Sequence, residues 1–116
     1  MLNDIIPKLP MRNKILTSEF YLKQLSFELI SDYGDYILIK KDQIEIHFFE
    51  FKTLNTIENY GQVYIRVFDI DDVYKDLKDK NVSIHPNGNL EIKPWGQKEF
   101  SLLDPDNNLL TFGQAI

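Results

Sequence analysis

The second half of this chain restarts the structural order of its first. Ile5-Ile6-Pro7-Lys8-Leu9-Pro10-Met11 reads as extended, because two closely spaced prolines forbid a helix and suit an edge or crossing strand. Asn13 can cap a helix running through Ile15, Leu16, Glu19, Phe20, Leu22 and Lys23 to about Leu25, with apolar residues at three- and four-residue spacing. Segments 27–31, 36–40 and 44–49 are rich in β-branched and aromatic residues, separated by Asp32-Tyr33-Gly34-Asp35 and Lys41-Asp42-Gln43, and predict three strands. The order then begins again. Val63, Ile65 and Val67 alternate in a strand over 62–68, and Asp69 or Asp71 opens a helix carrying Val73, Tyr74 and Leu77 that ends at Asn81. Val82-Ser83-Ile84 is expected to start another strand, His85 to Asn89 to be a loop, and 99–103 and 109–112 to be strands joined by Asp104-Pro105-Asp106-Asn107-Asn108. Two such modules, at about residues 4–52 and 60–116, predict one α+β domain over 1–116 in which helices cover one face of mostly antiparallel sheet. The bare faces are left to form a cleft or an interface.

Composition narrows the function classes. A chain of 116 residues with 43% hydrophobic and 27% charged residues has the size and balance of one ordinary globular domain. A net charge of −5 disfavours nucleic acid, whose phosphates call for clustered Lys and Arg, and favours a cationic partner. The absence of Cys removes disulfides, thiolate metal sites and cysteine nucleophiles. No apolar run approaches the roughly 20 residues of a membrane helix, and Met1-Leu2-Asn3-Asp4 lacks the basic start of a signal peptide. A cytoplasmic protein without a membrane partner is expected.

Several segments then match one family over nearly the whole chain. Pro7 to Asn13, followed by Glu19-Phe20-Tyr21 and Leu25-Ser26-Phe27, resembles the opening of bleomycin-resistance proteins, and Ile46-His47-Phe48-Phe49 resembles their fourth strand. Lys93-Pro94-Trp95-Gly96-Gln97-Lys98-Glu99-Phe100, and then Leu103-Asp104-Pro105-Asp106-Asn107-Asn108-Leu109, resemble that family's Pro-Trp-Gly and Asp-Pro-Asp-Gly-Asn-Leu segments in order and spacing. The resemblance implies the glyoxalase/bleomycin-resistance fold of the vicinal oxygen chelate superfamily: two βαβββ modules forming a half-barrel sheet with helices on the outer face. It also implies a homodimer, with the N-terminal strand exchanged between subunits, that sequesters a bleomycin-type glycopeptide in an interface cleft.

Fold membership leaves the chemistry open. Metal-dependent relatives hold an ion with His and Glu at positions that fall here on Ile6, Val63 and Thr111, and at or beside Ile46. Glu45 and His47 are the nearest donors on that strand and are expected to point away from Ile46. A metal-free binding protein with no cofactor and no catalytic residues is therefore expected. A metal-dependent enzyme of the same fold and a binder of another small metabolite stand as alternatives.

Trp95, the only Trp, is the foremost candidate for ligand contact, since a planar indole stacks on flat heteroaromatic groups. The resemblance adds Tyr36, Phe48 and Ile46 to the cleft, each of which core packing would explain equally. Arg66 interrupts an apolar strand and is expected to pair with a carboxylate or to face the cleft. Asp32, with Asp35, Glu45, Glu50 and Glu58, can supply a negative field for a cationic drug or simply a solvated surface. His47 reads as a packing residue and His85 as an exposed loop residue. No nucleophile and base are spaced for covalent catalysis.

Overall fold

A computed structural model describes residues 1–116, which divide into two compact units, Met1–Asn59 and Tyr60–Ile116. The first holds β1 (Lys8–Met11), α1 (Lys14–Ser18, continued by π-helical turns over Glu19–Gln24), β2 (Glu28–Asp32), β3 (Tyr36–Lys41) and β4 (Ile44–Glu50), with the sheet order β1-β4-β3-β2. The second holds β5 (Gln62–Arg66), α2 (Ile70–Asp79), β6 (Glu91–Ile92), β7 (Gln97–Leu103) and β8 (Leu109–Ala115), with the order β5-β8-β7-β6. Each unit is thus a βαβββ module of the same topology, its first strand parallel to its last and its other pairs antiparallel.

α1 starts where its cap requires. The Asn13 side chain accepts the Ile15 N–H at 2.7 Å, and the helix is α-helical over Lys14–Ser18 before widening into π-helical turns over Glu19–Gln24. The wider turns end when Leu25 N–H reaches back to the Phe20 carbonyl, Ser26 takes φ +64° and Phe27 N–H closes on the Tyr21 carbonyl. Phe20, Tyr21 and Leu25 are thereby buried. The Tyr21 ring lies 4.7 Å from that of Phe48 and 5.7 Å from that of Phe27, so α1 is packed on the β4 face that carries Phe48.

That contact decides which way the first sheet faces. Cross-strand partners share a face, and Ile37 pairs with Phe48 and Ile39 with Ile46, all four buried; Tyr36 pairs with Phe49, Leu38 with His47 and Lys40 with Glu45 on the other side. The resemblance puts Ile46 and Phe48 on the cleft while core packing explains them equally; the structure favours the core, where Phe48 is 0% and Ile46 1% exposed beneath α1, and corrects their assignment as open cleft residues.

In the second unit α2 buries Ile70 and Leu77 and sets Tyr74 edge-on against Phe100, which stacks on Phe112 at 4.8 Å. Its Asp69 cap has φ +53° and makes no side-chain capping bond; the Ile70 N–H goes instead to the Gln114 side chain at 2.8 Å. Asn81, at φ +61°, ends the helix as expected, with Val82 N–H bonded to the Leu77 carbonyl. The strand expected at Val82-Ser83-Ile84 does not form. A tight turn follows too soon, in which Gly88 N–H bonds the His85 carbonyl and single bonds tie His85 and Gly88 to Ser101, so the edge strand is Glu91–Ile92 instead. No helix is long and apolar enough to cross a membrane.

Candidate functional site

The helix-free face of the second sheet carries the most developed polar constellation in the chain. Along β7, Phe100 and Leu102 are buried toward α2, so Gln97, Glu99 and Ser101 project from the opposite face. Register adds Thr111 and Gly113 of β8, and Tyr64 and Arg66 of β5. Tyr64 donates its phenol to Glu99 Oε2 at 2.8 Å, Arg66 donates to Gln97 Oε1 at 3.0 Å with its guanidinium near the Tyr64 ring, and Ser101 and Thr111 share a hydroxyl bond of 2.9 Å. Tyr64 crosses directly over Gly113. A Cβ there would stand 1.9 Å from the Tyr64 oxygen, so only glycine leaves room for this reach.

Trp95 lies in the turn that leads into β7, closed by a bond from Gly96 N–H to the Lys93 carbonyl, with Gly96 at φ +80°. The residue is 64% exposed, yet its Nε1 donates to Glu99 Oε2 at 2.9 Å. An exposed aromatic ring held by its polar edge keeps a fixed orientation and offers its faces to a partner at little entropic cost. Beside it is a depression of about 240 Å³ lined by Asn87, Asn89, Trp95, Glu99, Ser101 and Thr111, among others. Burial raises the Tyr64 pKa above its ordinary value, and the hydrogen bond to Glu99 adds to the rise. The phenol therefore stays protonated and remains a donor at neutral pH.

Of the other expected site residues, Tyr36 and Asp32 belong to the first unit, and Arg66 to the second. Tyr36 is half-buried on the helix-free face of the first sheet, where its oxygen and His47 Nδ1 are 2.8 Å apart and His47 Nε2 in turn meets Glu45 at 2.5 Å. Asp32 serves its own turn. The Gly34 N–H and then the Lys14 ammonium hold its pKa below the ordinary carboxylate value. Arg66 does face away from α2, but its side-chain partner is an amide rather than a carboxylate. Sequence reasoning missed Glu99 and Tyr64, although the alternation of Gln97, Glu99 and Ser101 with Phe100 and Leu102 already marks a polar face.

A divalent metal does not fit this donor set. Ile6 and Val63 carry no donor, Thr111 is bonded to Ser101, and no three His, Asp or Glu side chains come together. The residue opposite Thr111 is Tyr64 rather than Val63, and it is committed to Glu99.

These features sit on a known scaffold. Residues 6–116 match the glyoxalase-like domain model, and the chain belongs to that family. Within it, the resemblance read from the sequence holds: the chain is 27% identical to the bleomycin resistance protein of Geobacillus stearothermophilus, over 96% of each chain. The same fold is seen in the crystal structure of a bleomycin-binding protein complexed with bleomycin, at a TM-score of 0.88 and 23% identity over 99% of this chain and 100% of that one. It is also seen in lactoylglutathione lyase from Agrobacterium tumefaciens, at 0.77 and 15% identity over 97% and 94%. One fold thus serves a binding protein and an enzyme, and the site must distinguish them.

Proposed function

We propose that this protein binds and sequesters a bleomycin-type glycopeptide, making and breaking no bond, and so protects the cell that holds it in its cytoplasm. The observation that carries this reading is the exposed Trp95, fixed by Glu99 at the edge of a polar depression. It supplies the rigid aromatic platform that a flat heteroaromatic ligand needs. The unfit donor set argues against the lyase-type alternative, and similarity to the Geobacillus protein argues for the antibiotic over an unrelated metabolite. Bleomycin added to the protein is expected to quench Trp95 emission to saturation and to be recovered chemically unchanged. Trp95→Ala should bind about tenfold more weakly, the loss of one stacking aromatic. No change in emission or melting temperature would sink the antibiotic reading; a chemically altered product would sink sequestration.

The binding form we propose is a homodimer. In the single chain β1 pairs with β4 of its own unit, Lys8 opposite His47, while Met1, Leu2 and Ile5 ahead of it are almost fully exposed. An apolar arm in water favours burial against a second copy, and exchange would keep the same register with β1 supplied by the other chain. Sedimentation equilibrium at micromolar protein should return twice the chain mass; a single-chain mass would refute the dimer.

A further inference from the structure

Glu99 is the most unusual side chain on the second sheet. It is only 7% exposed, faces away from the apolar core of its unit and has no Lys, Arg or His partner. Both hydrogen bonds it accepts, from Tyr64 and from Trp95, fall on Oε2. The other oxygen, Oε1, has no hydrogen-bond partner in the protein, yet it is not sealed from solvent. Burying a carboxylate is costly unless a counter-charge or several donors compensate it. Two neutral donors on one oxygen leave that compensation half made.

The cations nearby are spoken for. Lys93, which also lines the depression, is ion-paired with Glu91, and Arg66 donates to Gln97. The other polar side chains of the lining are neutral, the Asn87 and Asn89 amides and the Ser101 and Thr111 hydroxyls, and they lie with Gly88 and Phe100 beside the Trp95 ring. A group that both donates N–H bonds and carries positive charge answers all of these features. It completes Glu99 at Oε1, takes the neutral acceptors around it, and lies against an aromatic ring that attracts cations.

Resting on this face as the ligand site, we infer that the depression beside Trp95 is a cation subsite for a protonated amine or amidine of the ligand, with Glu99 as its acceptor. Glu99 has two tasks here: Oε2 fixes the Trp95 platform and Oε1 selects charge. The volume of about 240 Å³ admits one such terminal group rather than a whole glycopeptide.

The test uses the intact protein and two small probes, so that it does not depend on the antibiotic. Phenethylamine is protonated at neutral pH, whereas phenethyl alcohol has the same ring and no charge. By proton–nitrogen NMR, the amine should shift the Trp95 indole N–H and the Ser101 and Thr111 amides saturably, and the alcohol should bind about tenfold more weakly. Glu99→Gln keeps an acceptor for Tyr64 and Trp95 but removes the charge, so the ratio should fall to about one. Equal binding of both probes by the parent, binding of neither, or a ratio unchanged in Glu99→Gln would overturn the inference. Should that variant not fold, the parent's ratio alone decides. Amine selectivity with no response to bleomycin would leave the subsite standing and remove the antibiotic; the reverse would leave the antibiotic and remove Glu99 as the charge selector.

Discussion

Phe48→Ala is expected to destabilise the protein by about 3–5 kcal/mol, the range for truncating a buried aromatic whose surroundings cannot collapse. Phe48 is 0% exposed and has structure on every side. Leu9 of β1 and Ile37 of β3 are its register partners on the two flanking strands, and both are buried; Tyr21 of α1 lies above it at 4.7 Å. The strands are tied by ladder hydrogen bonds, and the helix is anchored by its Asn13 cap and its π-helical exit, so none of these groups can move in to fill the cavity. Against a typical total stability of about 5–15 kcal/mol, the loss is large. The urea midpoint should fall sharply with little change in slope. A variant with the parent's midpoint but weakened bleomycin binding would mean that Phe48 faces a ligand after all.

Of the two roles open to Phe48, core and cleft, this expectation takes the core, and the reason the sequence alone leaves both open is physical. Alternation along 44–49 shows two faces of a strand but not which one a helix covers. Here Ile44, Ile46 and Phe48 share the apolar face and Glu45, His47 and Phe49 the other, but whether a helix covers the apolar face or leaves it to line a cleft is settled only by the Tyr21 contact. Helix periodicity, the Asn13 cap and the Asn81 stop were legible because each depends on residues one turn away. The repeat was legible because it is written twice. The edge strand at Glu91–Ile92 was not: two residues carry no period, and their pairing with Lys98 and Glu99 is made across a loop. Trp95 announced itself by being the only Trp, between Pro94 and Gly96. Glu99 did not, because a carboxylate on a strand is ordinarily a solvated residue, and only the approach of Tyr64 over Gly113 and of Trp95 from its turn makes it a buried hub. Long-range register, which one sequence does not display, accounts for most of what was missed.

Asp104→Ala is expected to cost about 2–4 kcal/mol, although the residue lies in a turn that the sequence marks only as a break between strands. Its carboxylate organises the connection from β7 to β8. Oδ1 accepts the backbone N–H groups of Asp106 at 2.8 Å and Asn108 at 2.9 Å, while Oδ2 accepts the Asn108 side-chain amide at 2.8 Å. The backbone closes around the same residue, with Asp104 N–H on the Asn108 carbonyl and Asn107 N–H on the Asp104 carbonyl. Asp104, Asp106 and Asn108 are all buried, so water cannot replace the lost acceptor without opening the turn, and three donors lose the Asp104 carboxylate at once. Asp104→Asn should lie between variant and parent: one oxygen can still take the two backbone N–H groups, but its amide then meets the Asn108 amide donor to donor. The turn also sets the start of β8, where Leu109 pairs with Leu103 and Gln62, so its opening loosens the register that places Thr111 and Gly113 beneath the site. Thermal unfolding of Asp104→Ala should therefore drop by roughly 10 °C or more, with early hydrogen exchange at the Asn108 amide. A melting temperature within about 2 °C of the parent would show that this network does not hold the hairpin, and that the turn is fixed by its backbone alone.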